Sequence, residues 1–199
     1  MTAQIDDIFR YHGDDYSLAG ISESELFDPL SLGMQPVGVC SACWRGFYVV
    51  YAVVDGHLVV AELHVCLLGE SGDSSDRLAG PVINGVTPSP DQDEDDWFNN
   101  HYTGLNERLN YTGGVLIARG FIEDLYVHMG FQAPWKYQNV VELIFDSGAM
   151  TQQFDRSEQM AAIRTKAVAS LKGTDEDRLH TPEDIHTFVE RAFDRTYRI

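Results

Sequence analysis

Residues 44–54 and 57–68 are rich in Val, Tyr, Phe and Leu, and Asp55-Gly56 stands between them. A two-residue type I′ turn needs positive φ at both central positions, which Asp-Gly accepts, so the pattern predicts a β-hairpin. That turn sets Val54 opposite His57, Tyr51 opposite Val60, Phe47 opposite His64 and Arg45 opposite Cys66. Tyr48, Val50, Ala52, Val59, Ala61, Leu63, Val65 and Leu67 then share a wholly apolar face, expected to meet the core. The other face is also apolar near the turn, so both strands read as central and covered on two sides.

Periodicity predicts the remaining elements. Residues 5–21 read as a short helix and a loop. Ser22 and Glu25 have capping-box spacing, which starts a short helix that stops before Pro29. Residues 69–90 form a long loop rich in Gly, Ser and Pro. Ser89, Pro90 and Gln92 then announce a helix with Trp97, His101 and Leu105 on one stripe, although Gly104 interrupts it. Residues 111–119 read as a strand and 121–129 as a short helix ending at Gly130. Residues 140–145 and 149–154, joined through Asp146-Ser147-Gly148, read as a second hairpin with a longer loop. Two helices close the chain. One spans 157–172 and stops at Gly173; the other starts at Thr181 and presents Ile185, Phe188, Val189, Ala192 and Phe193. The expected fold is therefore α+β: an antiparallel sheet of about five to six strands around the central hairpin 44–68, packed with several helices and ending in a helical pair. The expected organisation is a single domain over 1–199 with an acidic loop at 69–90.

Charge changes the functional picture. The chain has 199 residues with 14 basic and 31 acidic side chains, a formal charge of −17. Residues 1–35 carry seven acids and one base, and residues 70–96 carry eight acids and one base. Such a balance repels nucleic acid backbones and anionic membranes, so neither is an expected partner. It favours a basic protein partner, with Asp91, Asp93, Glu94, Asp95 and Asp96 as the expected contact surface. The expected role is an acidic interaction protein of a bacterial cytoplasm, of the immunity or inhibitor type, more a binding protein than an enzyme. Neither a spanning apolar run nor a secretory leader is read in the sequence, and the three cysteines read as reduced thiols.

Three stretches carry candidate chemistry. His128, Gln132, Trp135 and Tyr137 belong to a segment whose three aromatics, with Gln and Lys, suit a pocket for a planar or sugar-like ligand. This supports an alternative role as a small hydrolase or ligand-binding domain. Cys40 and Cys43 have CxxC spacing, and His64 with Cys66 would complete a Cys₃His zinc set if the strand bends. Plain packing of these thiols is the simpler expectation, and no cofactor is required. The acids at 91–95 alternate as in a calcium loop, but Asp96 and Tyr102 stand where that loop needs Gly and Glu. Tyr11-His12-Gly13-Asp14-Asp15-Tyr16 sets a histidine beside two carboxylates and reads as a surface loop. Scans for GxGxxG, GxxxxGK[ST], HExxH and GxSxG find no match.

Overall fold

The computed structural model describes residues 2–23, 25–38, 40–69, 76–90, 96–172 and 192–198. Eight strands run β1 (Ile8–Tyr11), β2 (Asp14–Ile21), β3 (Phe47–Val54), β4 (His57–Val65), β5 (Asn100–Arg108), β6 (Gly113–Phe121), β7 (Tyr137–Asp146) and β8 (Ala149–Asp155). A single α-helix, α1 (Ser157–Lys172), follows among the described elements. The chain is thus mostly one mixed eight-stranded sheet, and the expected α+β arrangement of several helices on five to six strands is overturned.

The sheet rolls onto itself. Strand order is β3-β1-β2-β6-β7-β8-β4-β5, and β3 also pairs with β4. One edge of β4 is taken by β3. The other is shared between β5 and, at His57↔Ala149, the start of β8. Seven strands therefore close into a ring, with β5 added on the second edge of β4. Closure of this kind removes most exposed strand edges. The pairing of β1 with β3 is parallel; every other strand pairing is antiparallel.

Three of the hairpins turn on the same backbone device. Asp55-Gly56, Ser147-Gly148 and His12-Gly13 all hold positive φ at both positions, as a two-residue type I′ turn requires. The first was expected, and the second is tighter than the longer loop read from its sequence. The third replaces the helix expected over 5–21. Phe9, Tyr11 and Leu18 point inward from that hairpin, whereas Arg10, Asp14 and Asp15 are exposed.

The central hairpin forms, but its register departs from the simple one. Tyr51 faces Val60 as expected, then Ala61 is bulged out, so Val50 faces Glu62, Tyr48 faces His64 and Phe47 faces Val65. The extra residue reverses the facing of the rest of β4. Leu63 and Val65 join Leu58 and Val60 inside the barrel beside Phe47, Val49 and Tyr51. Glu62, His64 and Cys66 fall on the outer face with Tyr48, contrary to the face assignment read from an unbroken ladder.

The helix expected after Ser89 is replaced by β5. Spacing of four among Trp97, His101 and Leu105 suits a helical stripe, yet even spacing also suits a strand, and Gly104 and Asn106 take positive φ that a helix excludes. Among the described residues, no helix forms over 23–28, a 3₁₀ turn follows at Pro29–Leu32, and the helix expected over 121–129 is reduced to a 3₁₀ turn at Glu123–Leu125. Helix α1 matches its expected span and covers β6 and β7 through Met160, which packs with Leu116, Ala118 and Val140. The second helix of the expected pair lies outside the described residues, except Ala192 and Phe193, which are helical. Among the described residues, no helix is long and apolar enough to cross a membrane.

A buried ion network ties the two ends of the chain to the barrel. Asp7 is fully buried and accepts from both Arg45 guanidinium nitrogens at 3.0 Å, from Arg195 Nη1 at 2.8 Å and from the Val49 amide at 2.9 Å. Burial alone would raise its pKa. Arg45 and then Arg195 overcome that penalty and hold the carboxyl below its ordinary range. The isolated pairing of Ile21 with Thr196 stitches the last residues to β2.

Candidate functional site

Just outside the ring, residues 122–136 cross its surface between β6 and β7. Ile122 N donates to Lys136 O, which closes the segment into a loop. Inside it, Gln132 acts as a bracket: its amide nitrogen donates to Val127 O at 2.8 Å and its oxygen accepts from Val127 N at 3.3 Å. The same oxygen accepts from Lys136 Nζ at 2.8 Å. Gly130 has φ +66°, and a Cβ there would overlap the Ala192 carbonyl, so glycine lets the loop pack against that chain. Phe131 N donates to that carbonyl at 2.8 Å. The Phe131 ring is covered by Arg195 at 4.3 Å and by Arg45 at 5.3 Å, the two arginines that hold Asp7.

These contacts frame a cleft of about 510 Å³ lined by Leu125, Val127, Met129, Phe131, Trp135 and Lys136, with Asp124, Tyr126, Ala133 and Ala192 completing it. Its volume falls in the ordinary range for small-molecule sites. Of the residues expected to form a pocket, Trp135 lines the cleft and Gln132 positions Lys136. His128 is exposed, edge-on to Tyr126 at 4.8 Å. Tyr137 points elsewhere: it is buried, and its hydroxyl donates to Asp6 Oδ2 at 3.2 Å. Burial lowers the Lys136 pKa. Burial also raises the Asp6 carboxyl to about 6, more than the Ser17 and Tyr137 hydroxyls and Arg195 lower it.

A second constellation sits on the outer face of β4 and β5. His64 and His101 are paired across the strands, and their Nδ1 atoms are 2.7 Å apart. One Nδ1 donates and the other accepts, so the pair carries one proton between those two atoms. Glu62 Oε2 lies 3.6 Å from His64 Nε2, and Asp96 Oδ2 lies 3.1 Å from His101 Nε2 but out of line, which leaves that nitrogen buried without a directed hydrogen bond. Tyr48 stacks flat on His64 at 4.5 Å. Burial and then the neighbouring His101 hold His64 below its ordinary range, against Glu62 and Asp96. The pair was not foreseen, because it exists only once 100–108 is a strand.

The cysteines pack together in a small apolar cluster. Cys43 and Cys66 are buried with Phe98, and Cys40, Tyr48 and Leu68 pack against them. Cys43 Sγ donates to Phe47 O at 3.5 Å, and burial raises both the Cys43 and Cys66 thiols. His64 Nδ1 meets His101 Nδ1. Among the described residues, no three His, Cys, Asp or Glu side chains converge as a metal would need. Asp91, Asp93, Glu94 and Asp95 lie outside the described residues, and with them the calcium-like stretch. Asp96 is engaged at home: Oδ1 accepts from Phe98 N at 3.0 Å and Oδ2 faces His101. At the 11–16 turn, Asp14 pairs with Arg119 and Asp15 with Arg10, and His12 packs on Tyr11, so His12 and its carboxylates do not converge.

Another cleft of about 630 Å³ contains Glu142. That carboxylate already accepts from Arg156 and from the Tyr197 hydroxyl, so it is not free to act as a base. Comparison with protein-family models, with curated proteins and with solved structures finds no match.

Proposed function

We propose that this chain is a non-enzymatic binding protein that presents an acidic surface to a basic protein partner in a bacterial cytoplasm. An immunity or inhibitor protein that blocks a basic nuclease has this character. The observation that carries the reading is that five of the chain's fourteen cations are already held in ion pairs while exposed acids are left without one. Arg45 and Arg195 are held by Asp7, Arg156 by Glu142, Arg10 by Asp15 and Glu62, and Arg119 by Asp14. Exposed Asp28, Asp55, Glu123, Asp124, Asp146 and Glu158 have no ion pair among the described residues. With a formal charge of −17, the outward field is anionic and favours fast, selective association with a cationic surface.

The test is kinetic. A tagged chain would be offered its host's lysate at low salt, and the retained protein purified. Association with that protein should slow at least tenfold between about 20 and 300 mM salt. It should also slow when Asp91, Asp93, Glu94 and Asp95 are replaced by their amides. Asp96 is left intact because it holds Phe98 and faces His101. A salt-independent on-rate, or no retained basic protein, overturns the reading. The alternative role for residues 128–137 is favoured by the cleft beside Trp135 as ligand binding. As a hydrolase it lacks a supporting geometry, since the titratable side chains of that cleft are Asp124, Tyr126 and Lys136, with no hydrogen bond among them.

A further inference from the structure

We propose that the cleft between Leu125 and Lys136 binds a small monocarboxylate with a flat or branched apolar body, the carboxylate meeting Lys136 and the body lying against Trp135 and Phe131.

The argument begins with Lys136. It is buried, and its ammonium has three N–H groups to satisfy. One reaches Gln132 Oε1 at 2.8 Å, and the ammonium also lies 5.6 Å from the Trp135 ring. Neither partner carries a negative charge, and among the described residues no carboxylate pairs with it. A buried cation held by a neutral amide lacks the counter-charge that would offset its burial. Among the described residues the other buried Lys or Arg side chain, Arg195, pairs with Asp7, a carboxylate it shares with the half-buried Arg45. Lys136 is the exception, and it is the exception inside a cleft.

The walls define the rest of the ligand. Leu125, Val127, Met129, Phe131 and Trp135 offer hydrocarbon and aromatic surface. Tyr126 and Val127 stay 42% and 37% exposed at the rim. The walls are also preformed. Gln132 fixes Val127, the Gly130 approach fixes the loop against Ala192, and two guanidiniums fix Phe131 from behind. A preformed cleft loses little entropy when a ligand enters.

Charge sets an upper limit on the ligand's own. Asp124 lines the same cleft, and the whole chain is strongly anionic. Both disfavour dianions such as phosphate esters or dicarboxylates and disfavour acidic macromolecules. One negative charge, neutralised by one ammonium, is what the site matches.

The experiment titrates 3-phenylpropionate and its primary amide into the full chain at pH 7, followed by calorimetry and by the chemical shift of the Trp135 indole N–H. The acid should saturate, the amide should bind at least tenfold more weakly, and the Trp135 signal should move with the acid. Lys136→Met, which keeps the apolar stem, should reduce affinity for the acid at least tenfold and leave that for the amide unchanged. Ala133→Trp fills the cleft and should abolish both, which keeps the test decisive if the lysine variant misfolds. Equal binding of acid and amide, unchanged affinity in Lys136→Met, or saturation in Ala133→Trp overturns the proposal, as does failure of the acid to bind.

Discussion

Asp6 offers the sharpest test of the barrel's electrostatics. Its carboxyl is partly buried beside Ser17 and Tyr137, and burial raises its pKa from 3.8 to about 6. A raised carboxyl is one that folding prefers neutral. Its contribution to stability is therefore full below the unfolded pKa of 3.8 and is lost as pH rises to about 6. Above that the folded state carries a constant penalty. A shift of roughly two units corresponds to about 3 kcal/mol. Solvent reaching the partly exposed group trims this to about 2–3 kcal/mol. Asp6→Asn removes the ionisation and keeps a carbonyl oxygen for the Tyr137 hydroxyl. The variant should thus be more stable than the parent at pH 7 and nearly equal to it at pH 4. Urea denaturation of both proteins across this window measures the difference directly, because all other titrations cancel. The gap should open mostly between pH 4 and 6. A gap that is constant with pH, or that opens in the parent's favour, refutes the reasoning.

Other outcomes follow from the same contacts. Asp7→Ala removes the buried carboxylate that Arg195 and Arg45 share, leaving, among the described residues, only Glu25 at 3.9 Å from Arg195, and should destabilise the fold by about 3–5 kcal/mol or prevent folding, as read by calorimetry. Gly130→Ala must move the Ala192 carbonyl or abandon φ +66°, so the melting temperature should fall by several degrees. His64 is held below its ordinary pKa of 6.5, so its contribution is full above that value and lost as pH falls below it. His64→Gln should lose less stability than the parent between pH 7.5 and 5.5; parallel losses would remove the assignment.

How much of this was legible in the sequence depends on the kind of signal. Asp55-Gly56 and the flanking Val-rich runs announced their hairpin, because turn chemistry and strand pattern agreed. His12-Gly13 makes the same turn, but His-Gly is not among the dipeptides that announce a type I′ hairpin, and β1 has only four residues. Ala61 leaves no mark in the sequence, since alanine fits a ladder as readily as a bulge; only the competition for the barrel interior puts it outside. Trp97, His101 and Leu105 were ambiguous between two periods, and the wrong choice hid the His64–His101 contact entirely. Of the cleft, the wall at 132–136 was visible in its composition. The clamp of Arg45 and Arg195 on Phe131 joins three distant parts of the chain, which no local pattern records.

The Asp7–Arg195 contact spans 188 positions along the chain. On a ribosome that distance is a delay. At roughly 5–20 residues per second, Asp7 waits about 10–40 s for its last partner to be made. For most of that interval Arg45, made 38 positions after Asp7, is the one arginine of the pair at hand to offset the carboxylate, and β2 lacks the Thr196 pairing that later closes over Ile21. The seam over Ile21 therefore closes only after position 196 has been made. A chain stopped before position 195 would leave Asp7 with one arginine and β2 without its Thr196 pairing.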